Sequence, residues 1–106
     1  MNMGISGNLE KKWKSHKFGI KDKLEKKLVK LKKRDKLIYN IVMNKIDEIL
    51  ICDDIHHYKN LRSPLQKFKR VHIKSSFVLT FKYIESEDKV IFYDFDHHDK
   101  IYKNHS

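Results

Sequence analysis

The chain has 106 residues, 40% of them hydrophobic and 36% charged, and 24 Lys and Arg against 14 Asp and Glu give it a formal net charge of +10. A chain of this length can bury one core, which excludes a protein of several domains. The charge favours polyanionic partners, above all nucleic acid, although an acidic protein would respond to the same field.

The number of cysteines and the hydropathy of the sequence indicate the cellular compartment. The single cysteine, Cys52, excludes an internal disulfide, and we expect it to be a small buried hydrophobe at a helix end and not a catalytic thiol. The sequence shows no signal peptide and no apolar run that could span a bilayer. We therefore expect a cytoplasmic protein with no membrane partner.

The start of the chain carries little structural signal. Residues 1–12 contain glycine and few apolar side chains, so we expect a disordered or extended start, followed by one domain over residues 13–106. Within residues 14–20 the alternation of Phe18 and Ile20 with polar neighbours is typical of a short edge strand.

Two amphipathic helices are predicted next. From Asp22 onward, leucines recur at helical spacing among lysines, and Asp35 then offers an N-cap for a second helix that runs to about Ile51. The apolar stripe of this second helix consists of Leu37, Ile38, Ile41, Val42, Ile46, Ile49 and Leu50. The short break between the helices predicts a helical hairpin whose two apolar faces share one partner.

The second half of the chain predicts a sheet. Residues 53–64 lack periodicity and form the connection, and residues 68–73, 77–84 and 89–95 are rich in β-branched and aromatic side chains. The predicted fold class is therefore α+β, with an N-terminal helical hairpin packed on one face of a small antiparallel sheet. The opposite face of such a sheet can stay open to solvent.

Alternation of side chains sorts the strands into two faces. In the last strand Ile91, Tyr93 and Phe95 form the apolar set, which leaves Phe92, Asp94, Asp96 and His98 on the other side. If the strand stays extended to His98, one face collects a set of basic and titratable groups: Arg70, His72, Lys74, Lys82 and His98.

These residue types suit the handling of phosphate esters. Imidazole can give or take a proton near neutral pH, and Arg or Lys can neutralise a phosphate as its charge grows. Cleavage of RNA by its own 2′-hydroxyl needs a base, an acid and such cations, but no metal. The same alternation also describes an ordinary half-solvated strand, and the lysine-rich first helix is more often simply a solvated face.

A metal site is not expected. The pairs His56–His57 and His97–His98 invite one, but adjacent side chains on a strand point to opposite faces, and no zinc-type spacing is present. We therefore expect neither a metal nor any other cofactor.

Two tracts carry a family resemblance. RVHIKSSFVLTFKY at residues 70–83 and DFDHHDKIY at residues 94–102 resemble the C-terminal half of RelE-type toxins of the RelE/ParE superfamily, with the YafQ-like branch nearest. That half contains a strand with His-Ile, a turn, an aromatic with two aliphatics, and a histidine four residues before a terminal aromatic. The helical segment 28–50 is similar as well. The chain departs from the YafQ-like pattern at Ser76, where that pattern has aspartate.

The resemblance implies a ribosome-dependent endoribonuclease, an mRNA interferase that cuts translated mRNA and is neutralised by a cognate antitoxin. On this basis His98 is the candidate general acid and His72 the candidate base, although the two roles could be exchanged. Tyr102 matches the terminal aromatic, and Arg70 supplies catalytic positive charge. The candidate phosphate-binding residues are Lys69, Lys74, Lys82 and His97.

The expected partners are the ribosome, mRNA and a RelB-like antitoxin, whose acidic or amphipathic chain could cover a basic face. The expected products are a 2′,3′-cyclic phosphate, or the 3′-phosphate formed by its hydrolysis, and a 5′-hydroxyl. Two alternatives stay open. One is a ParE-like toxin that poisons gyrase without cutting RNA, and the other is a non-catalytic basic nucleic-acid-binding module.

Overall fold

The computed structural model describes the backbone of residues 15–105 and the side chains of residues 15–101. The prediction for residues 1–12 lies outside the described residues. The helices and strands follow one another as β1 (Lys17–Ile20), α1 (Asp22–Arg34), α2 (Lys36–Leu50), β2 (Lys69–Ile73), β3 (Phe77–Ile84), β4 (Lys89–His97) and α3 (His98–His105). Single 3₁₀ turns lie at Ile55–His57 and Glu85–Glu87.

The helical hairpin is confirmed, and Asp35 sets the break between its two helices. The Asp35 carboxylate accepts a hydrogen bond from the backbone N–H of Ile38 at 3.1 Å, which satisfies one of the free donors at the start of α2. Leu24 and Leu28 of α1 are buried against the sheet, and so are Ile38, Val42, Ile46, Ile49 and Leu50 of α2. Leu37, which was predicted to belong to the same stripe, is instead 63% exposed, and Ile41 is half-buried. The helical spacing of apolar residues predicted both helices, because each helix buries one apolar face against the sheet.

The sheet has the strand order β1-β4-β3-β2. The β2–β3 and β3–β4 pairs are antiparallel, as predicted, but the N-terminal edge strand pairs with β4 in parallel, so the sheet is mixed. The whole hairpin lies between β1 and the meander, and a connection of that length allows the chain to return in the same direction. The alternation of side chains within a strand does not indicate whether that strand pairs in parallel or antiparallel, so the sequence could not predict the parallel pairing of β1.

The main core fills the space between the hairpin and one face of the sheet. Leu79 and Phe81 of β3 pack there beside Val90 and Phe92 of β4, and all four side chains are buried completely. The predicted sorting of β4 is therefore wrong for Phe92, which lies in the core, and for Ile91 and Tyr93, which flank Phe92 on the opposite face and are half-buried.

A β-bulge explains this correction. Thr80 pairs with Asp94 but Phe81 pairs with Phe92, so Tyr93 is an extra residue on β4. An extra residue inverts the alternation, and the two halves of β4 follow opposite phases. Phe92 faces the helices before the bulge and Phe95 does so after it, whereas Tyr93 faces the other side of the sheet.

The face opposite the helices is only partly open, which corrects a second expectation. Leu61 and Leu65 of the connection pack with Ile101 of α3 on Val78 of β3, and all four are buried. Phe68 packs against the margin of this second cluster. Another departure is Cys52, which was predicted to be buried but is half-buried, and its thiol donates to the Asp54 carbonyl oxygen at 3.4 Å.

Candidate active site

His72 and His98 come together at the edge of the sheet. His72 is exposed on the outermost strand β2 and pairs in register with Val78 of β3. His98 is the first residue of α3, and its backbone N–H donates to the Ser76 carbonyl oxygen at 2.9 Å, which ties it to the β2–β3 turn. The two imidazole rings stack with centroids 6.1 Å apart and an interplanar angle of 25°.

The structure therefore brings the two histidines together by a route that differs from the prediction. β4 does not carry His98 to the site as a strand residue, because the strand ends at His97 and α3 begins at His98. The change from strand to helix turns the chain at this point. Alternation beyond Phe95 could not have predicted it.

Arg70 fixes the protonation of His72 in this arrangement. The Nη1 of Arg70 lies 2.8 Å from the Nε2 of His72. Since guanidinium only donates hydrogen bonds, Nε2 must present its lone pair, which leaves the single ring proton on Nδ1. Partial burial, with the positive charges of Arg70 and His98, lowers the pKa of His72. His72 therefore stays in its neutral form, the form that can accept a proton, to a lower pH than an isolated histidine.

The predicted phosphate-binding residues do not all share the face of the histidine pair. Lys74 is exposed in the β2–β3 turn with a left-handed φ of 58°, and Lys82 is half-buried on the histidine side of β3. Lys69 is buried on the other side, where its ammonium donates to the Tyr58 carbonyl oxygen and to Asn60.

Two further predicted residues complete the inventory. His97 pairs with Phe77 in register, and their rings lie 4.5 Å apart, so it belongs to the helix-facing side of the sheet. Tyr102 lies in α3, one turn after His98, and its side chain is outside the described residues. Of the predicted cations, Arg70 and Lys74 are thus the nearest in sequence to the histidine pair, each two residues from His72.

A group that sequence reasoning missed lies at the open edge of β4. Lys27 of α1 donates to Asp94 at 2.7 Å, to Asp96 at 2.9 Å and to the Phe95 carbonyl oxygen at 3.2 Å. Burial lowers the pKa of Lys27, but the hydrogen bonds to the two carboxylates outweigh this effect and raise it. Lys27 of α1 therefore supplies positive charge to both Asp94 and Asp96. The sequence could not predict this contact, because Lys27 is one of many lysines in α1.

The arrangement can move protons beside a phosphate. It offers a neutral imidazole, a second imidazole in contact with it and a guanidinium, which are the groups that acid–base cleavage of a phosphodiester uses. Among the described side chains, those of residues 15–101, no three His, Cys, Asp or Glu come close enough together to hold a metal ion. None of the helices in the same range has the length and apolar character that crossing a bilayer requires.

The helical hairpin packed on a mixed four-stranded sheet defines an α+β fold of the RelE type, and comparison with known proteins supports this. No family model matches the chain. A protein of Methanocaldococcus jannaschii named "Putative toxin RelE4" is 52% identical over 88 residues, which cover 83% of this chain and 92% of the relative. The chain therefore belongs to the RelE toxin family of the RelE/ParE superfamily.

Solved structures share the fold. The intact E. coli RelBE toxin–antitoxin complex matches with a TM-score of 0.62 at 15% identity, over 78% of this chain and 96% of the matched chain. YafQ from E. coli matches with a TM-score of 0.58 at 12% identity, over 82% and 98%. At such identities the likeness concerns the fold alone, and it agrees with the architecture predicted from the sequence.

Proposed function

We propose that the protein is a ribosome-dependent endoribonuclease that cuts translated mRNA by metal-independent acid–base catalysis. The observation that carries the proposal is the stacked pair of His72 and His98, with Arg70 hydrogen-bonded to the Nε2 of His72. The reaction needs a base, an acid and a cation that binds the phosphate. His72 supplies the base, His98 supplies the acid, and Arg70 supplies the cation.

The steps follow from these groups. A backbone phosphate draws the guanidinium of Arg70 into a charge-assisted contact, which frees Nε2 of His72. His72 then takes the proton of the 2′-hydroxyl while the 2′ oxygen attacks phosphorus. The bond from phosphorus to the 5′ oxygen breaks, and the imidazolium of His98 protonates that oxygen. The products are a 2′,3′-cyclic phosphate and a 5′-hydroxyl, after which the two histidines have exchanged protonation states.

We further propose an acidic, amphipathic antitoxin of the RelB type as the partner that silences the toxin. Three observations support it: the net charge of +10, the exposed apolar side chains of Val29 and Leu37 on the hairpin, and the RelE-type fold shared with the toxin–antitoxin complex of E. coli. An acidic chain would both neutralise the basic surface and cover the apolar side chains.

The test is induction of the toxin during translation of a reporter mRNA, with the ends mapped by primer extension. Wild type should produce cuts within translated codons, and the double variant His72→Ala, His98→Ala should produce none. His56→Ala, which removes an exposed histidine from the first 3₁₀ turn, is the control and should cut like wild type.

Three outcomes would contradict the proposal. Cuts that persist in the folded double variant would remove both histidines from the mechanism. Growth arrest without cuts would favour the gyrase-poisoning alternative. RNA binding with neither cuts nor arrest would indicate a non-catalytic binding module.

A further inference from the structure

Two half-buried aromatic rings lie on the sheet face opposite the helices, each with a lysine beside it. The rings of Phe68 and Tyr93 meet edge to face, with centroids 4.9 Å apart. The ammonium of Lys21 lies 5.1 Å from the centre of the Tyr93 ring, and that of Lys82 lies 5.8 Å from the centre of the Phe68 ring. We call these four residues the aromatic patch.

Tyr93 is the extra residue of the bulge in β4, and it lies on the face opposite to its neighbour Phe92. The bulge allows Phe95 to face the core as well, because without the extra residue alternation after Phe92 would place Phe95 on the side of Tyr93. Bulges are frequent next to functional sites, where they redirect a side chain. Tyr93 also borders a surface cavity of about 600 Å³, whose other walls are residues 20–23. The ring is thus partly accessible, with open space beside it.

The aromatic patch and the histidine pair share one face of the sheet. His72 and Val78 are register partners, and Lys82 lies four residues further along β3 on the same side. Four residues of strand span about 13 Å at roughly 3.3 Å each. This distance exceeds one nucleotide step, so a single-stranded RNA that places a phosphate at the histidines can reach the patch with a nucleotide further along the strand, past the cluster that covers Val78.

We propose that the aromatic patch is a subsite for an unpaired RNA base, which stacks on Tyr93 while Lys21 and Lys82 contact the flanking phosphates. Basic grooves with aromatic rings bind single strands in this way, because every base has a π-face and every linkage a charge. Base stacking is stronger than an exposed cation–π contact, so the base displaces Lys21 toward the phosphate. This inference rests on the proposed function, because it assumes that RNA is the substrate.

The experiment measures binding without ribosomes or cleavage. Affinity for a short fluorescein-labelled oligoadenylate is determined by anisotropy for wild type, Tyr93→Leu and Tyr93→Trp. We expect Tyr93→Leu to bind about tenfold more weakly, within the range of stacking of one base, and Tyr93→Trp to bind like wild type. The added tryptophan should also be quenched on binding, measured as the difference from wild type, which contains only Trp13.

The matched control is Tyr39→Leu. Tyr39 is also half-buried, with the ammonium of Lys32 5.7 Å from its ring centre, but it lies on α2, on the side of the sheet that carries the hairpin. It should bind like wild type. Equal loss in both leucine variants, or an unquenched Tyr93→Trp that binds normally, would overturn the subsite. If Tyr93→Leu fails to fold, the quenching alone decides.

Binding and cleavage separate the two proposals. Weakened binding by Tyr93→Leu with no codon-specific cuts by wild type would support the subsite and refute the ribonuclease. Codon-specific cuts by wild type with unchanged binding by Tyr93→Leu would refute the subsite alone. Competition by inorganic polyphosphate that removes the difference between wild type and Tyr93→Leu would show that charge, and not stacking, holds the RNA.

Discussion

The chemistry of His72 depends on contacts with its neighbours within the site. Its Nε2 accepts a hydrogen bond from Arg70, and its ring stacks on His98. Partial burial disfavours the imidazolium, and the positive charges that Arg70 and His98 can carry add to this effect, so the pKa of His72 lies below the ordinary value. As a result, His72 stays available as a base to a lower pH than an isolated histidine.

Replacing Arg70 by Gln should raise the pKa of His72, because it removes a fixed charge that opposes protonation. The measurement is the ¹H–¹³C NMR titration of the His72 ring. Under the proposed function, the acidic limb of the cleavage rate should move to higher pH by the same amount. Arg34→Gln, at the end of α1, is the control and should leave the titration unchanged. An unchanged titration of His72 in Arg70→Gln would show that the guanidinium does not set its basicity.

At the scale of the secondary-structure elements, Lys27 joins α1 to the part of β4 that β1 leaves unpaired. β1 pairs with β4 only as far as Phe92, and Lys27 binds Asp94, Phe95 and Asp96 just beyond it. The Asp96 carboxylate also accepts from the backbone N–H of His97 at 2.8 Å. This contact holds the end of the strand from which His98 enters α3.

Lys27→Met should lower the free energy of unfolding by about 1–2 kcal/mol, since it leaves the buried Asp94 without its shortest contact. The loss stays below that of a fully buried pair because the Lys27 side chain is 35% exposed and Lys23 lies 3.4 Å from Asp94. Urea denaturation measures this loss in the free energy of unfolding. The control is Lys26→Met, which replaces an exposed neighbouring lysine. Equal stability of the two variants would contradict the assignment.

The pH dependence of this loss follows from Asp96. Burial raises the pKa of Asp96, but the hydrogen bonds from Lys27 and from the backbone N–H of His97, together with the positive charges of Lys27 and Lys100, outweigh this effect and lower it. A carboxylate with a depressed pKa stabilises the fold fully above its unfolded value and loses that contribution as the pH falls through the folded value. The difference between wild type and Lys27→Met should therefore be largest near neutral pH and shrink below about pH 4.

The same elements show what the sequence could predict. Both helices, the meander and the shared side of half-buried Arg70 and exposed His72 follow from periodicity, because each pattern reflects a face that is either buried or in contact with solvent. The phase of β4 could not be predicted, since the bulge at Tyr93 is fixed by packing on both faces of the sheet. Nor could the helix that begins at His98, because the contacts that turn the chain there are long-range.

At the scale of the whole molecule, positively charged lysines lie on both sides of the sheet, and we expect the two groups to contribute differently to RNA binding. Lys26, Lys30 and Lys33 are exposed on α1, on the side of the hairpin, whereas Lys74 and Lys82 flank the face with the histidine pair. All of these charges add to the field that attracts a polyanion. Only the cations that contact phosphates contribute to counterion release on binding.

The salt dependence of RNA binding should therefore distinguish the two faces. For a short oligoadenylate, Lys74→Gln with Lys82→Gln should reduce the slope of log K against log salt by about 1.4, because each phosphate contact on a single strand contributes about 0.7. Lys26→Gln, Lys30→Gln and Lys33→Gln together remove more charge but should slow association without changing the slope. The opposite pattern would place the RNA on the helical hairpin, and it would then contradict both the proposed active site and the aromatic patch.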